Sequence, residues 1–359
     1  MFRLAEQLRR HAEDALLRGP YSVVDKTTLP PSGDPQDYWH PAPYFWPNPD
    51  SEDGLPYIKI DGMRSPGTAL YEPGCEQYDR SSLQRLFDDT TILALAWRAT
   101  GNLRYSDHAA SLVRKWFLNP ASRMNPHLEF AQVRLGHNQN RGYSTGIIEA
   151  KDFYFFLDAL RLLEDSGSFT IEDRAALTDW LRTYLNWLHT SPQGQQECRT
   201  NNNHGTLFDL QVAAIAVYVK DLGVLLDTLR RAQDRLRQQL APDGSQPHEL
   251  KRTMTKHYCC FNAQSWINIA DLGANCGYDL WSFRDVNGRG LKTALEWLLT
   301  RLSPEKQWPY PQQGAFDRDR VLPLYFGYRA HFGNLSEFKF VGDPCGCLLY
   351  TSPSPRDRS

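Results

Sequence analysis

The chain lacks a strong net charge, a long apolar run and any paired-cysteine metal signature. Formal net charge is −2, with Lys and Arg spread along all 359 residues. That excludes the overall basic field that draws proteins onto nucleic acid or anionic membrane, so neither is an expected partner. No segment approaches the roughly 20 apolar residues of a membrane span, and membrane insertion is not expected either. The seven cysteines, Cys75, Cys198, Cys259, Cys260, Cys276, Cys345 and Cys347, include no CxxC pair with a matching His or Cys set, which argues against zinc. His40, His127 and His137 have no ligand spacing, and the two-histidine metalloprotease helix motif is absent. No metal and no cofactor are expected.

Carboxylates are also scarce where polar residues concentrate. Four segments gather groups able to grip a ligand: "YWHPAPYFWPNP" (38–49), "RMNPHLEFAQVRLGHNQNRGYSTG" (123–146), "RTNNNHGTLFDLQ" (200–212) and "PDGSQPHELKRTMTKHYCCFN" (242–262). They supply Asn, Gln, His, Arg, Tyr and Trp. A glycoside hydrolase needs two carboxylates flanking the scissile bond, and nothing marks any two of Glu129, Glu149, Asp209, Asp243 and Glu249 as partners.

What is abundant is helix patterning. "SSLQRLFDDTTILALAWRATG" opens on Ser, spaces its apolar residues helically and ends on Gly, and "NLRYSDHAASLVRKWFLNP" follows with a Pro stop. The pattern returns in "TGIIEAKDFYFFLDALRLLEDSG", "TIEDRAALTDWLRTYLNWLHTSPQG", "GTLFDLQVAAIAVYVKDLG", "VLLDTLRRAQDRLRQQLAPDG", "CCFNAQSWINIADLGANCG" and "GRGLKTALEWLLTRLSP". Strand signals are few and no consensus motif repeats at a fixed period. The expected fold class is all-α, an (α/α) toroid or incomplete barrel of antiparallel helical hairpins, with its polar face made by the connecting loops. Residues 20–75, rich in Pro, Gly, Asp and aromatics, read as a long structured loop.

One domain is expected over residues 1–342. The tail at 343–359, "CGCLLYTSPSPRDRS" and the residues just before it, reads as disordered or foreign. The N-terminal "MFRLAEQLRRHAEDALLRGPY" has helical rather than signal-peptide patterning and reads as a helix entered partway.

A site rich in Asn, Arg, His and Tyr suits a substrate that brings its own negative charge, and β-elimination at a uronic acid fits. Removing the weakly acidic C5 proton puts charge on the adjacent carboxylate, so neutralising donors must be in place first. On this reading Asn203 and Arg252 bind the carboxylate, while His204 and Tyr258 handle the protons. Where the C5 proton and the leaving O4 lie on one side, Tyr258 serves as base and acid. Where they lie on opposite sides, His204 is the base and Tyr258 the acid. The sequence leaves both open.

The residues also carry a resemblance. "PPSGDPQDYWHPAPYFWPNP", "RMNPHLEFAQ", "RGYSTGIIE", "NNHG", "PDGSQPHELKRT" and "WPY", in this order over residues 17–312, resemble the signature of the alginate lyase superfamily with an (α/α) toroid, in its polysaccharide lyase family 38 branch. The resemblance implies metal-independent lysis of alginate or a related polyuronate, leaving an unsaturated non-reducing end. It carries the catalytic Asn-His pair to Asn203 and His204 and the downstream Arg and Tyr to Arg252 and Tyr258. It also favours sugar contacts by Asn125, Gln132 and Arg141. Further expected substrate contacts are Tyr38, Trp39, Tyr44, Trp46, Asn202 and His257. Asn201 and the residues after about 342 match no part of the pattern.

Plainer readings stand beside these. An Asn of "NNNHG" can cap a helix starting near Thr206, Tyr258 can be a core aromatic, Arg252 a surface ion-pair residue, and the Pro-aromatic segment a packed lid. The competing functional classes are an inverting glycoside hydrolase on an (α/α) barrel and a non-catalytic carbohydrate-binding protein. An anionic polysaccharide is the expected partner, and a polymer of that size argues for a secreted or periplasmic enzyme.

Overall fold

The structure, a computed structural model, describes residues 2–60, 63–335 and 338. The expected tail at 343–359 lies outside the described residues. Helices dominate, and the chain divides into two compact units, one ending at Glu197 and the other beginning at Cys198.

The first unit contains α1 (Phe2–Leu16), α2 (Arg80–Thr100), α3 (Leu103–Val113), α4 (Phe153–Leu162) and α5 (Ile171–Thr190), and ends in α6 (Pro192–Cys198). Its helix ends follow local chemistry. Gly101 closes α2 at φ 68°, the left-handed region that glycine enters freely. Asn102 then caps α3 by accepting from the Arg104 N–H. Thr170 and Asp173 form a reciprocal capping box on α5. Much of the aromatic surplus is core here: Phe117 and Trp180 meet edge to face at 4.7 Å, and Trp180 stacks on Tyr184 at 5.4 Å.

The Pro-rich segment is not wholly irregular. β1 (Trp39–Pro41) pairs in parallel with β4 (Phe130–Val133), and β2 (Phe45–Trp46) pairs antiparallel with β3 (Ile58–Lys59). The β1–β4 register slips between His40 and Pro41, leaving Gln132 as an extra residue at φ 53°, a bulge that re-aims its side chain.

The second unit contains α7 (Asn203–Val219), α8 (Leu222–Gln239), α9 (Thr255–Ala274), α10 (Leu291–Leu302) and α11 (Val321–Phe332). The short link between α7 and α8 makes a helical hairpin, and α7 packs on both α8 and α9. Burial covers α7 on nearly every side, as expected of a helix apolar around most of its circumference. Its polar N-terminal turn is therefore held in a fixed, largely dry setting. Among the described residues no helix is long and apolar enough to cross a membrane.

Candidate active site

The "NNNHG" turn starts α7, and its residues divide the work. Asn202 is the N-cap, its Oδ1 accepting from the His204 N–H at 3.0 Å. Asn202, expected as a substrate contact, uses its Oδ1 to close the first turn of the helix. Asn203 and His204 follow, both buried. Gly205 has no room for a side chain, since a Cβ would lie 2.0 Å from the Thr200 carbonyl oxygen and 2.3 Å from Arg235 Nη1.

Arg235 explains that crowding. Its guanidinium donates to the carbonyls of Cys198 and Thr200, the latter at 2.8 Å, and its Nε lies 2.5 Å from Asp209. Asp209, fully buried on α7, also pairs with Arg231 at 2.6 Å. The strand of chain leading into the turn is thus tied to α8 through one buried guanidinium. A second set of bonds ties it to α9. Gln239 donates to the Asn202 carbonyl at 3.2 Å, and its Oε1 accepts from Thr206 and Asn262. Asn262 also donates to Gln246, which donates to the Cys259 carbonyl. Asn262 Oδ1 has no hydrogen-bond partner among the described residues, and the bonds that are made hold the turn against α8 and α9.

Glu249 was weighed from sequence only as a hydrolase carboxylate, and the structure gives it a different position. One oxygen accepts from the Asn203 backbone N–H and the other from its Nδ2, each at 2.7 Å. Asn203 Oδ1 is buried and has no hydrogen-bond partner among the described residues. Burial raises the Glu249 pKa, and the Asn203 N–H groups with the nearby Arg252 and His204 only partly counter it, so the value stays above the ordinary carboxylate range. The sequence offered no signal for this contact across 46 residues.

Arg252 and Tyr258 meet directly. Arg252 Nη2 donates to the phenolic oxygen at 2.8 Å, and the guanidinium lies 3.8 Å from the ring centroid. Arg252 is half-buried and Tyr258 buried. Because Glu249 interacts electrostatically with both Arg252 and His204, Asn203, His204, Arg252 and Tyr258 gather about one carboxylate at the starts of α7 and α9. His257 does not join them by its ring contacts: it is buried, with Nε2 3.0 Å from the Ala315 carbonyl and its ring edge-on to Phe316. His257 thus packs against the 315–316 segment.

The remaining expected contacts lie in the first unit. Tyr38 and Trp39 are buried; Tyr38 donates to Glu149 at 2.7 Å and Trp39 Nε1 to Thr28 at 3.0 Å. Sugar stacking by these two is corrected to core packing, since neither ring has an open face. Asn125 donates its Nδ2 to Asp34 and Asp37, at 3.0 and 2.7 Å, and so braces a loop. Gln132 is buried, donating to Glu149 at 3.2 Å and accepting from Thr145 at 2.9 Å, so its amide is committed internally as well. Arg141 is exposed and pairs with Glu129 at 3.1 Å. Tyr44 and Trp46 are half-buried, Trp46 donating to the Met63 carbonyl.

Glu149 organises that first-unit cluster. Besides Tyr38 and Gln132 it meets His40 Nδ1 at 2.8 Å and the Arg80 guanidinium at 3.8 Å. Burial would raise its pKa, but His40, Arg80 and the Tyr38 hydroxyl together bring it down to about 2. A carboxylate held so firmly ionised is a poor general acid. Asp209 is clamped by two arginines, and Asp243 accepts from the Ser245 N–H and the Trp297 indole. Every carboxylate weighed for a hydrolytic pair thus has internal partners. Among the described residues no group of three or more His, Cys, Asp or Glu is placed to hold a metal ion.

Comparisons with known proteins give the family and the fold. The family model described as alginate lyase matches residues 22–308. The crystal structure of an alginate lyase from Bacteroides ovatus superposes with a TM-score of 0.85 at 31% identity, covering 98% of this chain and 91% of that one. Alginate lyase A1-III from Sphingomonas species A1 shares the fold at 18% identity and a TM-score of 0.58, covering 97% and 95% of the two chains. A variant of A1-III solved with a tetrasaccharide gives 19% identity and a TM-score of 0.56, over 94% of this chain and 89% of that one. Curated protein sequences give no match. The fold class is the all-α (α/α) toroid of these enzymes, and the chain belongs to the alginate lyase family of polysaccharide lyases.

Proposed function

We propose that the enzyme cleaves alginate or a related polyuronate by β-elimination, with Asn203, His204, Arg252 and Tyr258 carrying the reaction, in the manner of the family 38 branch. The observation that carries this reading is the Arg252–Tyr258 pair, a phenolic oxygen accepting from a guanidinium at 2.8 Å. That bond sets the phenolic oxygen, the atom that would exchange protons with the substrate, beside a fixed guanidinium. Arginine has five N–H groups, so Arg252 can hold Tyr258 and still present donors to a uronate carboxylate.

The chemistry balances without an external reactant. The base takes the C5 proton, the C5–H electron pair becomes the C4–C5 double bond, the C4–O4 bond breaks, and O4 leaves with a proton from the acid. Charge that develops on the carboxylate is met by Arg252 and by the second hydrogen of Asn203 Nδ2, the first being held by Glu249. Tyr258 serves as base and acid where the proton and O4 share a side; His204 takes the proton where they do not. Within the first unit, Tyr44, Trp46 and Arg141 keep exposed surface and remain candidates for sugar contact on that unit's own surface. A polymer substrate accords with a secreted or periplasmic enzyme.

The test is direct. Incubation with alginate, polymannuronate, polyguluronate and glucuronan should raise the ultraviolet absorbance of the unsaturated uronate on at least one of them. New reducing ends without that absorbance would instead indicate hydrolysis, and binding without either would indicate a lectin-like role.

A further inference from the structure

We infer that Glu249 is a positioning residue for the elimination, acting through Asn203 by clamping its backbone and side-chain N–H groups at once. The inference rests on the lyase reading above and extends it to a residue that makes no proposed contact with substrate.

The geometry is specific. Asn203 is the first residue of α7, where backbone N–H groups have no partner within the helix. Glu249 supplies one, and the same carboxylate takes Nδ2 with its other oxygen, both at 2.7 Å. Two bonds from one rigid, planar group fix the Asn203 side-chain torsions and the sense of its amide. Nδ2 must face Glu249, because an amide oxygen cannot donate to a carboxylate. Oδ1, buried and without a partner among the described residues, is held facing the other way. Glu249 is itself 1% exposed, an expensive place for a carboxylate, and these two bonds meet its two oxygens. The groups facing it are Asn203 and His204 from α7, Arg252 beside it, and Cys259 from α9. A residue of merely structural value there would be better served by an amide.

Glu249→Gln provides the discriminating change. Glutamine keeps the shape and can still accept the backbone N–H, but its NH2 now faces Asn203, whose amide turns over so that Oδ1 accepts. That turn gives Oδ1 a partner in place of Nδ2 and reverses the polarity presented by Asn203. The experiment compares wild type, Glu249→Gln, Asn203→Ala and the double variant on whichever of the four polyuronates the wild type turns over fastest, with thermal unfolding measured alongside. The expected result is an unchanged Tm, a kcat lower by about tenfold or more with little change in KM, and a double variant no slower than Asn203→Ala alone. The acid limb of the wild-type pH profile should lie above the ordinary carboxylate range and vanish in Glu249→Gln.

Wild-type kcat in Glu249→Gln, or losses that multiply in the double variant, would overturn the inference and leave the lyase reading intact. If Glu249→Gln does not fold, the wild-type profile decides: an acid limb at or below the ordinary carboxylate range overturns it. No unsaturated product from the wild type on any polymer would remove the lyase reading, and this inference with it.

Discussion

Arg252 and Tyr258 touch in two ways at once, a 2.8 Å hydrogen bond from Nη2 to the phenolic oxygen and a guanidinium 3.8 Å from the ring centroid. The stacking holds the arginine beside the ring, and the hydrogen bond aims its charge at the one atom able to take a proton. Neither contact needs substrate, so the pair is organised in advance.

Removing the hydroxyl tests the pair from one side. Tyr258→Phe keeps the ring and the stacking but deletes the hydroxyl proposed as acid and base, and kcat should fall on the order of a thousandfold, with Tm nearly unchanged. Arg252→Lys keeps the charge but not the planar fork, which cannot then serve Tyr258 and a carboxylate together; a smaller loss in kcat, with a higher KM, is expected. Continuous ultraviolet assay of both variants checks this. A Tyr258→Phe enzyme of wild-type rate would take Tyr258 out of the mechanism.

Gly205→Ala pits helix propensity against packing. In an open helix the change would stabilise by about 1 kcal/mol. Here a Cβ would lie 2.0 Å from the Thr200 carbonyl and 2.3 Å from Arg235 Nη1, so the turn or the buried guanidinium must move. The expected outcome is a destabilisation of about 1–3 kcal/mol in urea unfolding and a lower kcat, because the shifted turn carries Asn203 and His204. A stabilised variant would show that the turn yields freely.

How much of this could be read in the sequence depends on the range of the interaction. The helices from Arg80 to Leu302 announced themselves through apolar spacing and end signals such as Gly101. Two helices did not. Pro192–Cys198 begins where Ser-Pro looked like a stop, yet Pro suits a first helical turn. Val321–Phe332 has Pro and Gly inside an apolar run, which obscured it. In the site, Asn203 and His204 stood out because Asn is unusual beside an apolar helix, and Arg252 with Tyr258 because they share a segment. Glu249 against Asn203, and Arg235 against Thr200, are contacts made by the fold between distant segments of ordinary composition. Trp39 and Tyr38 misled for the opposite reason: an aromatic looks the same in sequence whether it faces sugar or core.

Asp209 and its two arginines make a stability prediction of graded size. Asp209 is fully buried, and so is Arg235, whereas the Arg231 side chain keeps 29% of its surface exposed. Asp209→Asn leaves the Arg235 charge buried without its counter-ion, at a cost of about 3–5 kcal/mol. Arg231→Met should cost less than about 2 kcal/mol, since Arg235 still balances Asp209 and the removed charge could reach water. Denaturant unfolding of the two variants gives the ordering. Equal costs would mean that Arg231 rather than Arg235 is the effective counter-ion.

Glu149 predicts how the protein responds to acid. Its pKa in the folded protein is about 2 against an ordinary 4.5, so its ionised form is favoured by folding. The stability it contributes is present above about pH 4.5 and is lost as the pH falls toward about 2. Asp79, buried beside Lys26 at 3.1 Å, runs the other way. Burial lifts its pKa from 3.8 to about 7, so its contribution is complete below 3.8 and declines as the pH rises through about 7. The interval below about pH 3.8 therefore isolates Glu149 from Asp79. Glu149→Gln should lower Tm at neutral pH, because Arg80 loses its buried counter-charge. Its Tm should also fall less steeply than that of wild type between about pH 3.8 and about pH 2. Parallel Tm curves for the two proteins across that interval would mean that Glu149 holds its charge no more tightly folded than unfolded, and that hydrogen bonds to Tyr38 and Gln132, rather than ion pairing, keep the carboxylate in place.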